Sequence, residues 1–249
     1  MRLEKTPWLF LIVLLAGLAA GCASATPAGG RISAGPAGSA DQASSLEQRF
    51  VSIVRAVSPA VVQVRTPVAL GSGIVFDARG DVGTNARVVE NATRFVVTLA
   101  SGDSHPATLV GTDAGTDLAV IRITGARPRP ATFANSARVE VGDLTLAIGN
   151  PLGLRSRDRG HVSAVGRGVP ETSGATLSSI IQTSATIDLV NSGGTLVDLP
   201  GQVIGIPTLA AFDPEMGATA PIGFAIDSNT VRKVAIRLAG RVSRHGATR

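Results

Sequence analysis

Val190-Asn191-Ser192-Gly193-Gly194 sets a serine in a glycine-rich loop, with the β-rich run Ser178–Thr183 before it and Gln202–Ile206 after it. Outward from this loop the chain keeps the same rhythm of short apolar runs and turn residues. Val61–Arg65, Gly73–Phe76, Arg94–Leu99, Leu118–Ile123, Leu144–Ile148 and Ile222–Ile226 continue the series. Many short strands with glycine-rich turns point to a barrel or sandwich. Composition agrees: with 29 glycines, 3% aromatic residues and no tyrosine, the core must be built from Val, Ile, Leu and Ala. Those residues suit strands better than long helices. At 249 residues and 44% hydrophobic, the chain can hold one large domain or two small ones.

Two helices frame the strands. Leu46, Phe50, Ile53, Val54 and Val57 share one helical face, which Ser58-Pro59 ends. A last helix is expected over residues 229–240, with a polar tail over 241–249. Arg127-Pro128-Arg129-Pro130 marks a joint between two halves.

The N-terminus reads as an export leader. Arg2 and Lys5 precede an almost wholly apolar run from Pro7 to Ala20. A run of about 14 residues is short for a membrane span and right for a signal peptide core. Leu18-Ala19-Ala20-Gly21-Cys22 resembles a bacterial lipobox, so residues 1–21 are expected to be removed and Cys22 lipidated. Cleavage after Ala23-Ser24-Ala25, or an uncleaved anchor, is the alternative. Residues 22–45 are mostly Ala, Gly, Ser and Pro and read as a tether. Cys22 is the sole cysteine, which excludes an intramolecular disulfide. The +5 net charge, carried by 21 arginines and two lysines, is spread along the chain. Neither a nucleic-acid partner nor, without metal-ligand spacing, a metal or cofactor is expected.

Further segments join Asn191–Gly194 in order: Val57-Ser58-Pro59-Ala60-Val61-Val62, Gly71-Ser72-Gly73-Ile74-Val75, Thr84-Asn85-Ala86-Arg87-Val88-Val89, Thr116-Asp117-Leu118-Ala119-Val120, Ala147-Ile148-Gly149-Asn150-Pro151, Val203-Ile204-Gly205-Ile206 and Ile222-Gly223-Phe224-Ala225-Ile226. With these the chain resembles the HtrA/Deg-type serine proteases of the trypsin-like superfamily, over about residues 46–240. The resemblance implies an all-β fold of two six-stranded β-barrels, about 58–127 and 131–228, flanked by the short N-terminal and C-terminal helices. It implies Asp117 as the triad acid and Ser192 as the nucleophile. Val190 and Ser192 would supply the oxyanion-hole N–H groups, and Ile222, Gly223, Phe224 and Ala225 a strand that pairs with substrate. A peptide-binding PDZ domain usually follows in the family; none is expected here after residue 240.

Two departures fall at the chemistry. Arg87 occupies the position of the family's catalytic histidine. A serine hydroxyl needs a neighbouring base, and a guanidinium stays protonated at physiological pH. Beside Asp117 it could form an ion pair without activating anything. Val190 replaces a glycine, and a β-branched residue is costly at positive φ, so the oxyanion donor is expected to be misaimed. Losing the base costs on the order of a millionfold in turnover, and losing an oxyanion donor a hundredfold to a thousandfold. His105, expected at an exposed turn, His161 in a strand and His245 in the tail are weaker candidates for the base. Arg155, Arg157, Arg159 and Arg167 form a basic loop cluster, read as solvated or as facing an acidic partner or anionic lipid.

The expectation is an exported, membrane-tethered member of this family at the outer face of the cell membrane. It would bind extended polypeptide or an envelope protein, or assemble with active relatives, without cleaving. The alternative is an active endopeptidase that uses Ser192 with an unusual base.

Overall fold

The computed structural model describes residues 37–150, 156–166, 169–170, 176–177, 179–188, 191–208 and 223–245. The expected leader, Cys22, Arg155, Arg167, Val190 and Ile222 lie outside them.

The chain enters through α1 (Ala37–Val57) and a 3₁₀ turn at Ser58–Ala60. The first barrel follows: β1 (Val61–Arg65), β2 (Leu70–Val75), β3 (Asp81–Asn85), the single turn α2 (Ala86–Val89), β4 (Phe95–Thr98), β5 (Ser104–Asp113) and β6 (Leu118–Ile123). The second holds β7 (Leu144–Gly149), β8 (Ser156–Gly166), β11 (Ile180–Thr183), β12 (Thr195–Val197), β13 (Val203–Thr208) and β14 (Gly223–Asp227). Between β8 and β11, β9 (Val169–Pro170) and β10 (Thr176–Leu177) form a small two-stranded sheet. Last comes α3 (Ser228–His245). Both barrels are closed, in the orders β1-β2-β3-β6-β5-β4 and β11-β14-β13-β12-β7-β8. The expected two six-stranded barrels are present. Closure gives each barrel no edge strand among the described residues.

The cores are aliphatic, as the composition requires. Ile74, Ile121, Ile148, Ile181, Leu196, Ile204, Ile206 and Ile226 are among the largest fully buried side chains. The barrels also meet through polar bonds close to the nucleophile loop. The Asn150 backbone N–H donates to Ser72 Oγ at 2.9 Å, and Asn150 Nδ2 donates to the Val61 carbonyl at 3.3 Å.

Helix boundaries differ from expectation at both ends. α1 begins at Ala37, inside the segment assigned to the tether, because Ala37, Ala40 and Ala43 are good helix formers that extend a helix already fixed by packing. Its anchored end is Phe50, Ile53, Val54 and Val57, all buried. Arg159 stacks over the Phe50 ring at 5.7 Å, and Arg49 Nε donates to the Leu199 carbonyl at 3.1 Å. Arg159 thus touches α1 while remaining exposed, in keeping with a solvated position. At the other end α3 runs through residues 241–245, which had been read as tail. α3 packs against β5 and β6 of one barrel and β13 and β14 of the other. A side chain at Gly111 on β5 would reach within 3.1 Å of Leu238, so the glycine lets the helix sit close.

Candidate active site

Asp117 is held by backbone geometry first. It ends the 3₁₀ turn Ala114–Thr116 in the left-handed region, at φ 48° and ψ 36°, a conformation that aspartate tolerates better than most residues. Its carbonyl accepts the Ala86 N–H at 3.0 Å and Asn85 Nδ2 at 3.3 Å, which fixes the start of α2 against it. The carboxylate is buried, and Oδ1 accepts the backbone N–H of Arg87 at 3.3 Å. Oδ2 accepts Thr208 Oγ1 at 2.7 Å and also Arg87 Nη1.

Arg87 therefore does form the expected ion pair, and its reach goes further. Nη1 also donates to Thr208 Oγ1 at 2.9 Å. Nη2 donates to Asn85 Oδ1 at 3.0 Å and to Ser192 Oγ. The Ser192 hydroxyl in turn donates to Asn85 Oδ1 at 2.7 Å. The serine proton thus rests on an amide oxygen, which is no base, while a lone pair of its oxygen faces a permanent cation. Ser192 is only 2% exposed, so this closed network also keeps it from solvent.

The backbone N–H expected to serve an oxyanion is occupied as well. The Ser192 backbone N–H donates to the Asp188 carbonyl at 3.0 Å. The loop is tied into that turn by reciprocal bonds: Asp188 N–H to Asn191 Oδ1 at 3.0 Å, and Asn191 N–H to Asp188 Oδ1 at 2.9 Å. Asn191 Nδ2 adds a bond to the Thr186 carbonyl at 2.8 Å. An N–H already paired inside its own loop cannot stabilise a developing oxyanion without first breaking that bond. Gly193 is required where it stands. Its φ is 79°, and a Cβ there would fall 2.4 Å from the Ser72 carbonyl oxygen.

Residues 71–206 match the family model described as a trypsin-like peptidase domain. The chain belongs to this family, and it is of HtrA/Deg type. Over 181 residues it is 43% identical to the periplasmic serine endoprotease DegP of Escherichia coli, covering 71% of this chain and 37% of that protein. It is 40% identical over 189 residues to the serine endoprotease DegS of the same organism, covering 74% of this chain and 52% of that one. The serine protease Do-like HtrB of Bacillus subtilis is 40% identical over 184 residues, covering 70% of this chain and 40% of its own length. The chain thus spans less than two thirds of each of these relatives.

In this HtrA/Deg-type domain the structure brings Arg87, Asp117 and Ser192 together. Among the described residues no histidine bonds Ser192 or Asp117. His105 lies in β5 and is half-buried opposite Val97, so it is a strand residue and not the exposed turn expected. His161 is on the exposed side of β8, with Nδ1 2.9 Å from Ser184 Oγ, while its neighbour Val162 points into the core.

Gly223, Phe224 and Ala225, three of the residues expected to meet substrate, lie in β14. β14 is paired on both sides, to β11 (Thr183 opposite Gly223) and to β13 (Thr208 opposite Phe224). Phe224 and Ala225 are paired on both sides, whereas Gly223, opposite Thr183 of β11, lies beyond the last β13 pair among the described residues. Gly223 and Ala225 are buried, and of the described residues in that set only Phe224 is partly exposed.

Sequence reasoning gave no role to Asn85, Thr208 or Asp188. Asn85 lay inside a quoted motif, two residues from Arg87, where its amide could have been counted as a partner. Thr208 and Asp188 carried no signal, since their roles depend on what folds against them.

Proposed function

We propose that this domain is a catalytically silent HtrA/Deg-type homologue of the cell envelope that holds polypeptide without cleaving it. The observation carrying this reading is the bond from Arg87 Nη2 to the Ser192 hydroxyl, with the serine proton on Asn85. Among the described residues no base bonds that hydroxyl, and the Ser192 N–H is engaged by Asp188. The envelope location is supported by the relative DegP, a periplasmic serine endoprotease. Tethering would come from the leader and a lipidated Cys22. Polypeptide, or an envelope protein, would meet the start of β14 at Gly223 and the partly exposed Phe224. Assembly with active relatives would be a second way to act without turnover.

A fluorophosphonate probe tests the reading, because it reacts only with an activated serine. The full chain should remain unlabelled alongside an active serine protease labelled to completion. Stoichiometric labelling at Ser192 would establish instead an active endopeptidase with another base.

A further inference from the structure

Ser228–His245 carries Arg232, Lys233, Arg237, Arg241 and Arg244 and contains no acidic residue. Its inner face is Val231, Val234, Ala235, Leu238 and Ala239, all buried against the two barrels. The outer face presents Arg232, Lys233, Ile236, Arg237 and Gly240 to solvent, and Ile236 is 62% exposed. Packing among the described residues does not account for that isoleucine, since the apolar stripe holding the helix is complete without it. Among the described residues a single carboxylate pairs with this face: Asp113, bonded to Arg237 at its flank. Arg232 and Lys233 have no ion-pair partner among the described residues. The helix is therefore amphipathic, with an apolar side used by the fold and a basic side bearing one bare aliphatic residue.

We propose that this outer face of α3 rests on an anionic phospholipid surface. The cations would meet phosphate headgroups, and Ile236 would enter the interface between headgroups and acyl chains. A lipid surface suits both halves of the pattern, because it offers negative charge and an apolar phase at adjacent depths. Nucleic acid offers the charge alone. Among the described residues no helix is long and apolar enough to cross a membrane, and α3 would lie on the surface. The expected lipid at Cys22 would keep the domain at the bilayer, where the basic face of α3 adds a second, orienting contact. Residues 22–36 can span at most about 50 Å, which keeps a tethered domain within reach of the bilayer. The proposal does not require Ser192 to be silent.

The test uses the full chain with Cys22→Ser and Ile236→Cys, which leaves one thiol for an environment-sensitive fluorophore. A blue shift is expected on vesicles containing phosphatidylglycerol, none on phosphatidylcholine alone, and loss of the shift at high salt. A fluorophore at Val68→Cys, in an exposed turn of the first barrel, should not respond; it controls for attachment through the leader. Each charge contributes roughly fivefold, so R232E with K233E should weaken the response more than about tenfold. Both positions are exposed, and an unchanged thermal transition would show that the variant is folded. The proposal is overturned by equal response on the two vesicle types, by equal response at position 68, or by indifference to the charge reversals. An equal response to polyglutamate or duplex DNA would also overturn it, in favour of a general anion patch.

Discussion

The Arg87 guanidinium bonds the Asp117 carboxylate through Nη1 and the Ser192 hydroxyl through Nη2, joining the two barrels through one cation. In this position the side chain both neutralises a buried acid and immobilises the serine. Removing it separates those two effects.

Arg87→Ala leaves Asp117 buried beside Thr208 without its cation. Breaking a buried pair by removing one partner costs about 3–5 kcal/mol, less where a partner reaches solvent. With the Arg87 side chain 29% exposed, a loss of about 2–3 kcal/mol is expected from urea unfolding. Arg87→Lys should cost less, because a point charge can still meet Asp117 while losing the fork that reaches Ser192.

Arg87→His alone should restore little peptidase activity, since the Ser192 N–H remains bonded to the Asp188 carbonyl. Adding Val190→Gly frees the backbone of the same loop, and the double variant should exceed the single one by at least about tenfold, an oxyanion donor being worth more than that. Peptide hydrolysis and fluorophosphonate labelling measure both. Equal rates for the two variants would remove Val190 from the explanation.

Gly193→Ala should destabilise the domain by about 3 kcal/mol or more, because it adds positive-φ strain to a clash with backbone. The Ser72 carbonyl at 2.4 Å from the new Cβ also accepts Thr84 Oγ1 at 2.7 Å, so it cannot move freely. The fall should appear as a single shifted transition in thermal or urea unfolding. An unchanged midpoint would mean that the loop stands away from β2.

Asp198 gives a pH signature. Burial raises its carboxyl above the ordinary value of 3.8, aided by the nearby Asp143 and opposed by backbone hydrogen bonds from Gln202 and Gly201. A carboxyl raised in the folded state contributes stability below its unfolded value and loses that contribution as pH rises through the folded value. Asp198→Asn keeps an oxygen to accept the Gln202 N–H, now 2.7 Å away, and carries no charge. The variant should melt higher than the parent at pH 7, and the difference should close as pH falls toward 3.8. A parent that is the more stable at neutral pH would refute this reading.

The strands legible in sequence were those with an apolar stake in the core. Val61–Arg65 and Leu118–Ile123 coincide with β1 and β6, four or more of whose residues are buried. β5 escaped because most of its ten residues are exposed or half-buried, so no alternation marks it; ladder pairing to β4 and β6 defines it. β8 escaped for a related reason: Arg157, Asp158 and Arg159 look like loop residues until β7 pairs with them. β14 was legible as a strand, but its pairing with both β11 and β13 was not, because pairing on both sides is a property of closure and not of composition.

Sequence by itself determined that residue 87 is a permanent cation, that one serine sits in a glycine-rich loop, and that the fold is built of short aliphatic strands. Each follows from side-chain chemistry or from local pattern. Tertiary structure alone decided where the cation points. Arg87 and Ser192 are 105 residues apart in the chain, and the closing of two separate barrels places Nη2 against Oγ. Asn85 and Thr208 acquire their roles by the same closure. So does the turn that gives the Ser192 N–H to Asp188, because hydrogen-bond partners are fixed by position in space.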